Sequence, residues 1–193
     1  YINVKKKLAH MVNLKHHKLV KVCNDHISKL STNKFLIAYS GGVDSSVLLD
    51  CLSKLSHIIP IKVRSIHINH GLSEEAALFE NHCRKICKEY GIKHITEKIN
   101  LKFTSNIEEQ CRKERYKRLC ENCEDDEIII TAHHEEDQIE TFFLRLIRGS
   151  GARGLSCMKE TSLYNNNLIL RPFLKVPKEE IKQYSEENHI KYI

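Results

Sequence analysis

The chain has 193 residues, enough for one domain with a full hydrophobic core and too few for a second domain of catalytic size. Charged residues make up 29% and the formal net charge is +6, a moderately basic globular composition that permits a nucleic-acid partner without demanding one. No apolar run approaches the ~20 residues that span a bilayer, and no secretory apolar segment opens the chain; the expectation is no membrane partner and a cytoplasmic location.

In chain order, residues 1–31 read as a basic N-terminal helix, with Leu8, Met11, Val12, Leu19, Val22 and Ile27 among its apolar positions over 4–30. A catalytic-size domain follows over 32–193. Its pattern predicts strand 34–39, helix 43–55, strand 62–68, helix 73–90, strand 92–99, helix 105–121, strand 127–132 and helix 135–147. Ser73, Glu74 and Glu75 supply a start signal for the third of these helices, in which Ala76, Phe79, Cys83, Ile86 and Tyr90 recur at steps of three and four. Leu168–Leu170 reads as a further short strand, and Pro177 opens a terminal helix. Phe35–Ala38 and Ile128–Ile130 are continuous apolar runs, as strands covered on both faces require. Strict strand–helix alternation predicts an α/β fold: a doubly wound, mostly parallel sheet with helices on both faces. Of the eight cysteines, Cys51, Cys83, Cys87 and Cys111 fall inside helical patterns and read as small apolar thiols. Cys120 and Cys123 have metal or redox spacing but no second such pair.

The chemistry starts where the first strand ends. In FLIAYSGGVDSSVLL, Gly41 and Gly42 let the backbone bend and bring its N–H groups against an oxyanion, and the helix opening near Val43 adds unpaired amides and its positive dipole end. Ser40, Ser45 and Ser46 add hydroxyls. Asp44 is out of place beside phosphates unless it caps the helix, accepts a hydrogen bond or shares Mg²⁺ with them. The string contains neither G-x-x-x-x-G-K-[ST] nor G-x-G-x-x-G. It resembles the pyrophosphate loop (PP-loop) of the N-type ATP pyrophosphatases, in which that loop grips the pyrophosphate leaving ATP.

Ligands of open parallel sheets bind beyond the carboxyl ends of the strands, and the polar clusters fall there: Ser40-Gly41-Gly42, His67-Ile68-Asn69-His70-Gly71 and His133-His134-Glu135-Glu136-Asp137. His67 reads either as a satisfied strand histidine or as a functional group, and His70 either as a loop start or as a ligand contact. A zinc reading would enlist His67, His70, His133 and His134, with permissive spacing. Asp137 and Glu140 either complement a helix dipole or, for Asp137, supply a second carboxylate to Mg²⁺ alongside Asp44. Arg145, Arg148 and Arg153 flank Gly149, Ser150, Gly151 and Gly154, a cationic loop suited to phosphate or RNA backbone, or simply a solvated helix end. Arg112 and Arg115 share a helical face beside Tyr116, so a guanidinium pair could meet an anion while the tyrosine stacks on a base, unless Glu108 and Glu114 pair with those arginines.

Taken together, SGGVDSSVLL, HINHGL, EEQCRKERY, HHEEDQIET, RLIRGSGARGL and LRPFL closely resemble the tRNA(Ile)-lysidine synthetases, in order and spacing, over about residues 34–185. The resemblance implies ATP and Mg²⁺ as cofactors. It also implies adenylation of O2 of the wobble cytidine in a tRNA(Ile) with a CAU anticodon, then displacement of AMP by free L-lysine. Mapped by motif, Ser40 to Ser45 hold pyrophosphate and Ala38 and His67 line the adenine pocket. Asp44 and Asp137 serve Mg²⁺, Arg112 and Arg115 lie near the adenylated centre, and His70, His133, His134 and Arg148 face the substrate. A homodimer is a further expectation. The family commonly has Asp-Asp-Gln where this chain has Glu136-Asp137-Gln138, and its members usually continue past this length into tRNA-binding domains. Two alternatives remain: a thiolating tRNA-modifying relative, whose loop typically reads SGGKDS, and a non-catalytic tRNA-binding module.

Overall fold

A computed structural model of the chain describes residues 17–71, 75–99, 107–149 and 156–193. Its elements are α1 (Lys18–Ile27), β1 (Lys34–Ala38), α2 (Val43–Ser56), β2 (Lys62–Asn69), α3 (Ala76–Glu89), β3 (Lys93–Lys98), α4 (Ile107–Glu121), β4 (Glu127–Ile130), α5 (Glu135–Ile147), β5 (Thr161–Tyr164), β6 (Asn167–Leu170) and α6 (Lys178–Glu187). The strands form one six-stranded sheet in the order β3-β2-β1-β4-β6-β5. Every neighbouring pair is parallel except β5 with β6. Alternation of strand and helix therefore gives the predicted mostly parallel, doubly wound sheet. Among the described residues no helix is long and apolar enough to cross a membrane.

Alternate residues of β1 feed two cores, because successive side chains of a strand point to opposite faces. Phe35, Ile37 and Tyr39 join the larger core with α1, α2, α3 and α6; Cys23, Cys51, Cys83 and Cys87 are buried in it as apolar thiols. Leu36 faces the smaller core with Ile66, Ile129, Ile169 and, from α4, Tyr116 and Leu119. A buried polar clasp fastens α6 and α3 to α2. Asp50 accepts hydrogen bonds from Tyr90 Oη at 2.9 Å and Tyr184 Oη at 2.5 Å, and pairs with Lys54 at 2.8 Å. Lys54 in turn donates to Asn188 Oδ1 at 2.7 Å. By contrast, α5 buries none of its residues, and Ile139, Phe142, Phe143, Leu144, Leu146 and Ile147 are exposed along it.

The differences from the sequence pattern are local. Residues 4–16 of the expected N-terminal helix, Ser73, Glu74, and residues 105–106 lie outside the described residues. The apolar piece at 168–170 is half of a hairpin whose other strand, β5, the pattern did not show. Asn165 and Asn166 make its two-residue turn with φ of 45° and 63°, a left-handed pair that asparagine tolerates. The expected strand 127–132 ends at Ile130. Thr131 still donates its N–H to the Leu170 carbonyl at 3.0 Å, after which its hydroxyl turns to His133 Nδ1 at 2.8 Å.

Candidate active site

The strand order places a topological switch between β1 and β4. From β1 the chain winds outward through β2 and β3, then returns to β4 on the other side. Connections leaving in opposite directions open a crevice at the carboxyl ends of those two strands. Ser40 to Ser45 lie at one lip and Thr131 to Asp137 at the other.

On the first lip, Gly41 has φ of +90°, a left-handed conformation that L side chains rarely adopt. A Cβ there would also lie 3.1 Å from Cys83 Sγ. Gly42 is the N-cap of α2 and no side chain caps the helix, which leaves its first amides free for an anion. The loop hydroxyls bond one another meanwhile: Ser40 Oγ lies 3.0 Å from Ser45 Oγ, Ser45 Oγ donates to the Gly42 carbonyl at 3.0 Å, and Gly42 N–H donates to Ser40 Oγ at 3.3 Å. Ala38, Ser40, Asp44 and Ser45 line a cavity of about 250 Å³, opposite Thr131, Ala132, His133 and Asp137. Ser46 sits behind the loop, its Oγ 3.3 Å from Tyr39 Oη, and Val43 packs against the larger core.

Two carboxylates converge on that cavity with an imidazole between them. His134, buried to 4% exposure, has Nε2 3.7 Å from Asp44 Oδ2 and Nδ1 3.6 Å from Asp137 Oδ2. Asp44, reinforced by Asp137, holds its pKa above the ordinary histidine value against the opposing effect of burial. Asp137 also accepts the His134 backbone N–H at 2.8 Å, closing the first turn of α5. Asp44 Oδ1 is buried without a hydrogen-bond partner. Glu136 is turned outward to Lys178 at 3.9 Å, so the extra methylene at this position does not enter the carboxylate pair.

A second cavity of about 570 Å³ adjoins the first and shares Arg115, His133 and Asp137 with it. Arg112, His70, Cys111 and Met158 contribute to its wall, together with the carboxylates of Glu108 and Glu140. His133 is kept neutral, its pKa pushed down to about 3 by burial first and then by Arg115, Arg171 and Arg112. Burial, then Arg115, lowers His70 as well, and its Nδ1 is buried without a partner.

Several residues singled out in the sequence stand elsewhere. His67 is buried in β2 and donates from Nδ1 to the Tyr39 carbonyl at 3.1 Å, bracing the phosphate loop from behind. Tyr116 is no platform for a base: it is 5% exposed in the smaller core, its ring centroid 5.2 Å from that of Tyr164, with the Arg112 and Arg115 guanidiniums 6.0 and 5.5 Å from it. Glu114 pairs with Arg118 at 2.9 Å, leaving Arg112 and Arg115 to the cavity. Arg148 is the exposed C-cap of α5 and lines neither cavity. Ser150, Gly151, Arg153 and Gly154 lie outside the described residues.

Sequence reasoning missed Gln138 and Arg171. The Gln138 amide holds both backbone polar groups of Met158, donating to its carbonyl and accepting its N–H at 2.8 Å each, and so fixes one wall of the larger cavity. Arg171 is buried, with Nη1 donating to the Lys159 carbonyl at 3.0 Å and to Ser162 Oγ at 2.9 Å. An arginine between leucine and proline inside an apolar run was the available signal for it.

The chain is similar to several known proteins. Curated relatives include the tRNA(Ile)-lysidine synthases of Buchnera aphidicola, 44% identical over 90% of this chain, and Histophilus somni, 42% identical over 84%. The chain spans 38% of the length of each. In fold it is similar to a U34-tRNA thiolase from Methanococcus maripaludis, with a TM-score of 0.70 and 23% identity over 85% of this chain and 60% of that one. The NH3-dependent NAD synthetase of Campylobacter jejuni superimposes with a TM-score of 0.55 and 12% identity, covering 93% of this chain and 74% of that one. Residues 11–193 match the pattern of an ATP-binding PP-loop domain, and the chain belongs to that family.

Proposed function

We propose that this chain is the adenylating domain of a tRNA(Ile)-lysidine synthetase, which uses ATP to join free L-lysine to C2 of the wobble cytidine in a CAU anticodon. The observation that carries the reading is the meeting of two cavities at Arg115, His133 and Asp137. One cavity has the chemistry of a phosphate cradle; the other mixes guanidinium, imidazole and carboxylate, as a site for a nucleotide base and an amino acid requires. The relatives that match over most of this chain carry the corresponding name.

In the first step cytidine O2 forms a bond to the α-phosphorus while the bond to pyrophosphate breaks. The uncapped α2 amides with Ser40 and Ser45 take up the departing charge, and Arg115 faces the junction where the phosphoryl group moves. In the second, the neutral lysine amine attacks C2, AMP leaves with the electrons of the C2–O2 bond, and the amine sheds a proton. Glu108 and Glu140 give the acceptor cavity an attraction for lysine's ammonium as it enters, before it loses the proton that makes its amine the neutral nucleophile, and Arg112 offers a partner for its carboxylate. Asp44 and Asp137 suit Mg²⁺, which takes one or two carboxylates and fills its other positions with phosphate and water. The unpartnered Asp44 Oδ1 fits that role. Bound there, Mg²⁺ supplies neutralising charge to the ATP phosphates.

A thiolating reading has weaker support. Cys120 and Cys123 donate to the Tyr164 and Glu127 carbonyls at 3.4 and 3.2 Å and line neither cavity of the site. The test is incubation with labelled lysine, Mg·ATP and a tRNA(Ile) bearing CAU, following AMP and labelled tRNA against a tRNA(Met) control. Lysine incorporated into the isoleucine tRNA alone is the expected result for the synthetase. AMP without incorporation restricts the chain to adenylation, and tRNA binding without AMP returns it to a binding module.

A further inference from the structure

The phosphate loop has a support on the side away from the cavity that no part of the proposed chemistry uses. After α6 the chain turns at His189, which has φ of 50°, and runs back along α3. Lys191 pairs with Glu89 at 2.9 Å and its backbone hydrogen-bonds His82. Ile190 packs partly buried against the larger core. Three residues on, Ile193 N–H donates to the Gly41 carbonyl at 3.0 Å, and Ile193 Cγ2 lies 3.4 Å from where a Gly41 Cβ would stand.

We infer that the strap formed by residues 190–193 positions the phosphate loop by fixing the peptide plane between Gly41 and Gly42. The Gly41 carbonyl and the Gly42 N–H belong to one planar trans peptide unit, so they point in opposite directions. With the carbonyl held toward the strap, the N–H must face the cavity, where it now donates to Ser40 Oγ at 3.3 Å. A peptide between two glycines has little steric resistance to flipping, since neither neighbour carries a Cβ. The other donor to the Gly41 carbonyl is Ser46 Oγ at 3.4 Å, a longer contact than the one from Ile193. Flipping would turn a carbonyl oxygen toward phosphate in place of an amide hydrogen. Ile193 thus acts through Gly41 and Gly42 as a positioning residue, and the inference rests on the reading of this loop as the nucleotide site.

The test replaces Ile193 in the full chain by proline, which removes the N–H, and by alanine, which keeps it. Mg·ATP affinity is measured by calorimetry, and exchange of the Gly42 amide is measured by NMR without nucleotide. One hydrogen bond of ordinary strength predicts an ATP affinity roughly 3- to 10-fold weaker for Ile193→Pro and near wild type for Ile193→Ala. Gly42 exchange should quicken in the proline variant alone. Thermal midpoints of both variants should stay close to wild type, because Ile193 is 46% exposed. Equal ATP affinities and equal Gly42 exchange in the two variants overturn the strap, as does an equal loss in both. A wild-type chain that binds no ATP while Gly42 exchange still separates the variants overturns the nucleotide reading and leaves the strap standing.

Discussion

The strands that carry the two lips of the crevice are both buried, but the helices behind its two walls are not equally so. Behind the phosphate loop, β1 is buried on both faces, α2 buries ten of its fourteen residues, and the Asp50 clasp ties α2 to α3 and α6. Across the crevice, α4 buries Tyr116 and Leu119 and α5 buries nothing. Local opening is governed by how much apolar contact must be given up. The loop proposed to present amides to phosphate is thus embedded in the cooperative core, while the helices of the wall proposed to face the acceptor are only lightly held. On the proposed function, fixed geometry for phosphate and room for an RNA are separate requirements, and they fall to separate walls.

The largest expected effect tests whether the two lips divide the chemistry as they divide the stability. Asp44→Asn keeps the shape of the loop lip and removes its charge. It should slow AMP formation by at least roughly 100-fold with an unchanged thermal midpoint. Arg112→Ala, on the other wall, should cut transfer to tRNA by about 10-fold while leaving ATP affinity near wild type. Single-turnover AMP release and ATP calorimetry distinguish the two. If both variants lose ATP binding to the same extent, the walls are not separable.

Next in size is the foundation itself. Asp50→Ala leaves Lys54 without its buried partner and two tyrosine hydroxyls without their acceptor. The expected loss is about 3 kcal/mol of folding free energy, read from urea denaturation. A loss no larger than that of a surface substitution would mean that the clasp does not fasten α6 to α2.

A smaller effect comes from His94, in β3 beside the larger core, where Nδ1 lies 2.8 Å from Ser65 Oγ. Burial, with help from His67 and Arg84, pushes its pKa from 6.5 down to about 4. In the unfolded chain the imidazole takes its proton near the ordinary value, so between those limits the unfolded state binds more protons. Stability from this group is complete above pH 6.5 and is lost as the pH falls toward about 4. His94→Gln should flatten that acid limb, narrowing the fall in thermal midpoint by about 5 °C. An identical pH profile for the variant would remove His94 from the acid response.

These contrasts also show what the sequence could and could not disclose. Strand–helix alternation and the apolar run 35–37 carried the sheet, because burial on both faces leaves a continuous signal in the residues themselves. Gly41 and Gly42 marked the phosphate lip for a similar reason, a local backbone demand met by local residues. The opposite lip depends on long-range contacts. That Gln138 clamps Met158, that His134 stands between Asp44 and Asp137, and that Tyr116 turns inward rather than toward a base are set by packing between elements distant in sequence. Periodicity in α4 is weak because charged residues fall on every side of the helix and only Tyr116 and Leu119 are buried, so nothing in the pattern separated an inward Tyr116 from one free to stack on a base.

The smallest effect expected is on α5, and it tests the comparison from its weak side. Phe143 is 54% exposed, with its ring centroid 5.7 Å from that of Phe142, and neither ring belongs to a core cluster. In a buried helix, replacing a phenylalanine by a small polar residue removes apolar contact worth about 3 kcal/mol or more. Here the native state already leaves most of the ring in water, so little burial is lost. Phe143→Ser should therefore change folding stability by less than about 0.5 kcal/mol in denaturant titrations. Its effect on adenylation should be equally slight, because Leu144 and Thr141, and not Phe143, line the acceptor cavity. A loss approaching that of Asp50→Ala would show that α5 is held as firmly as α2, and the division between a fixed wall and a lightly held one would fail.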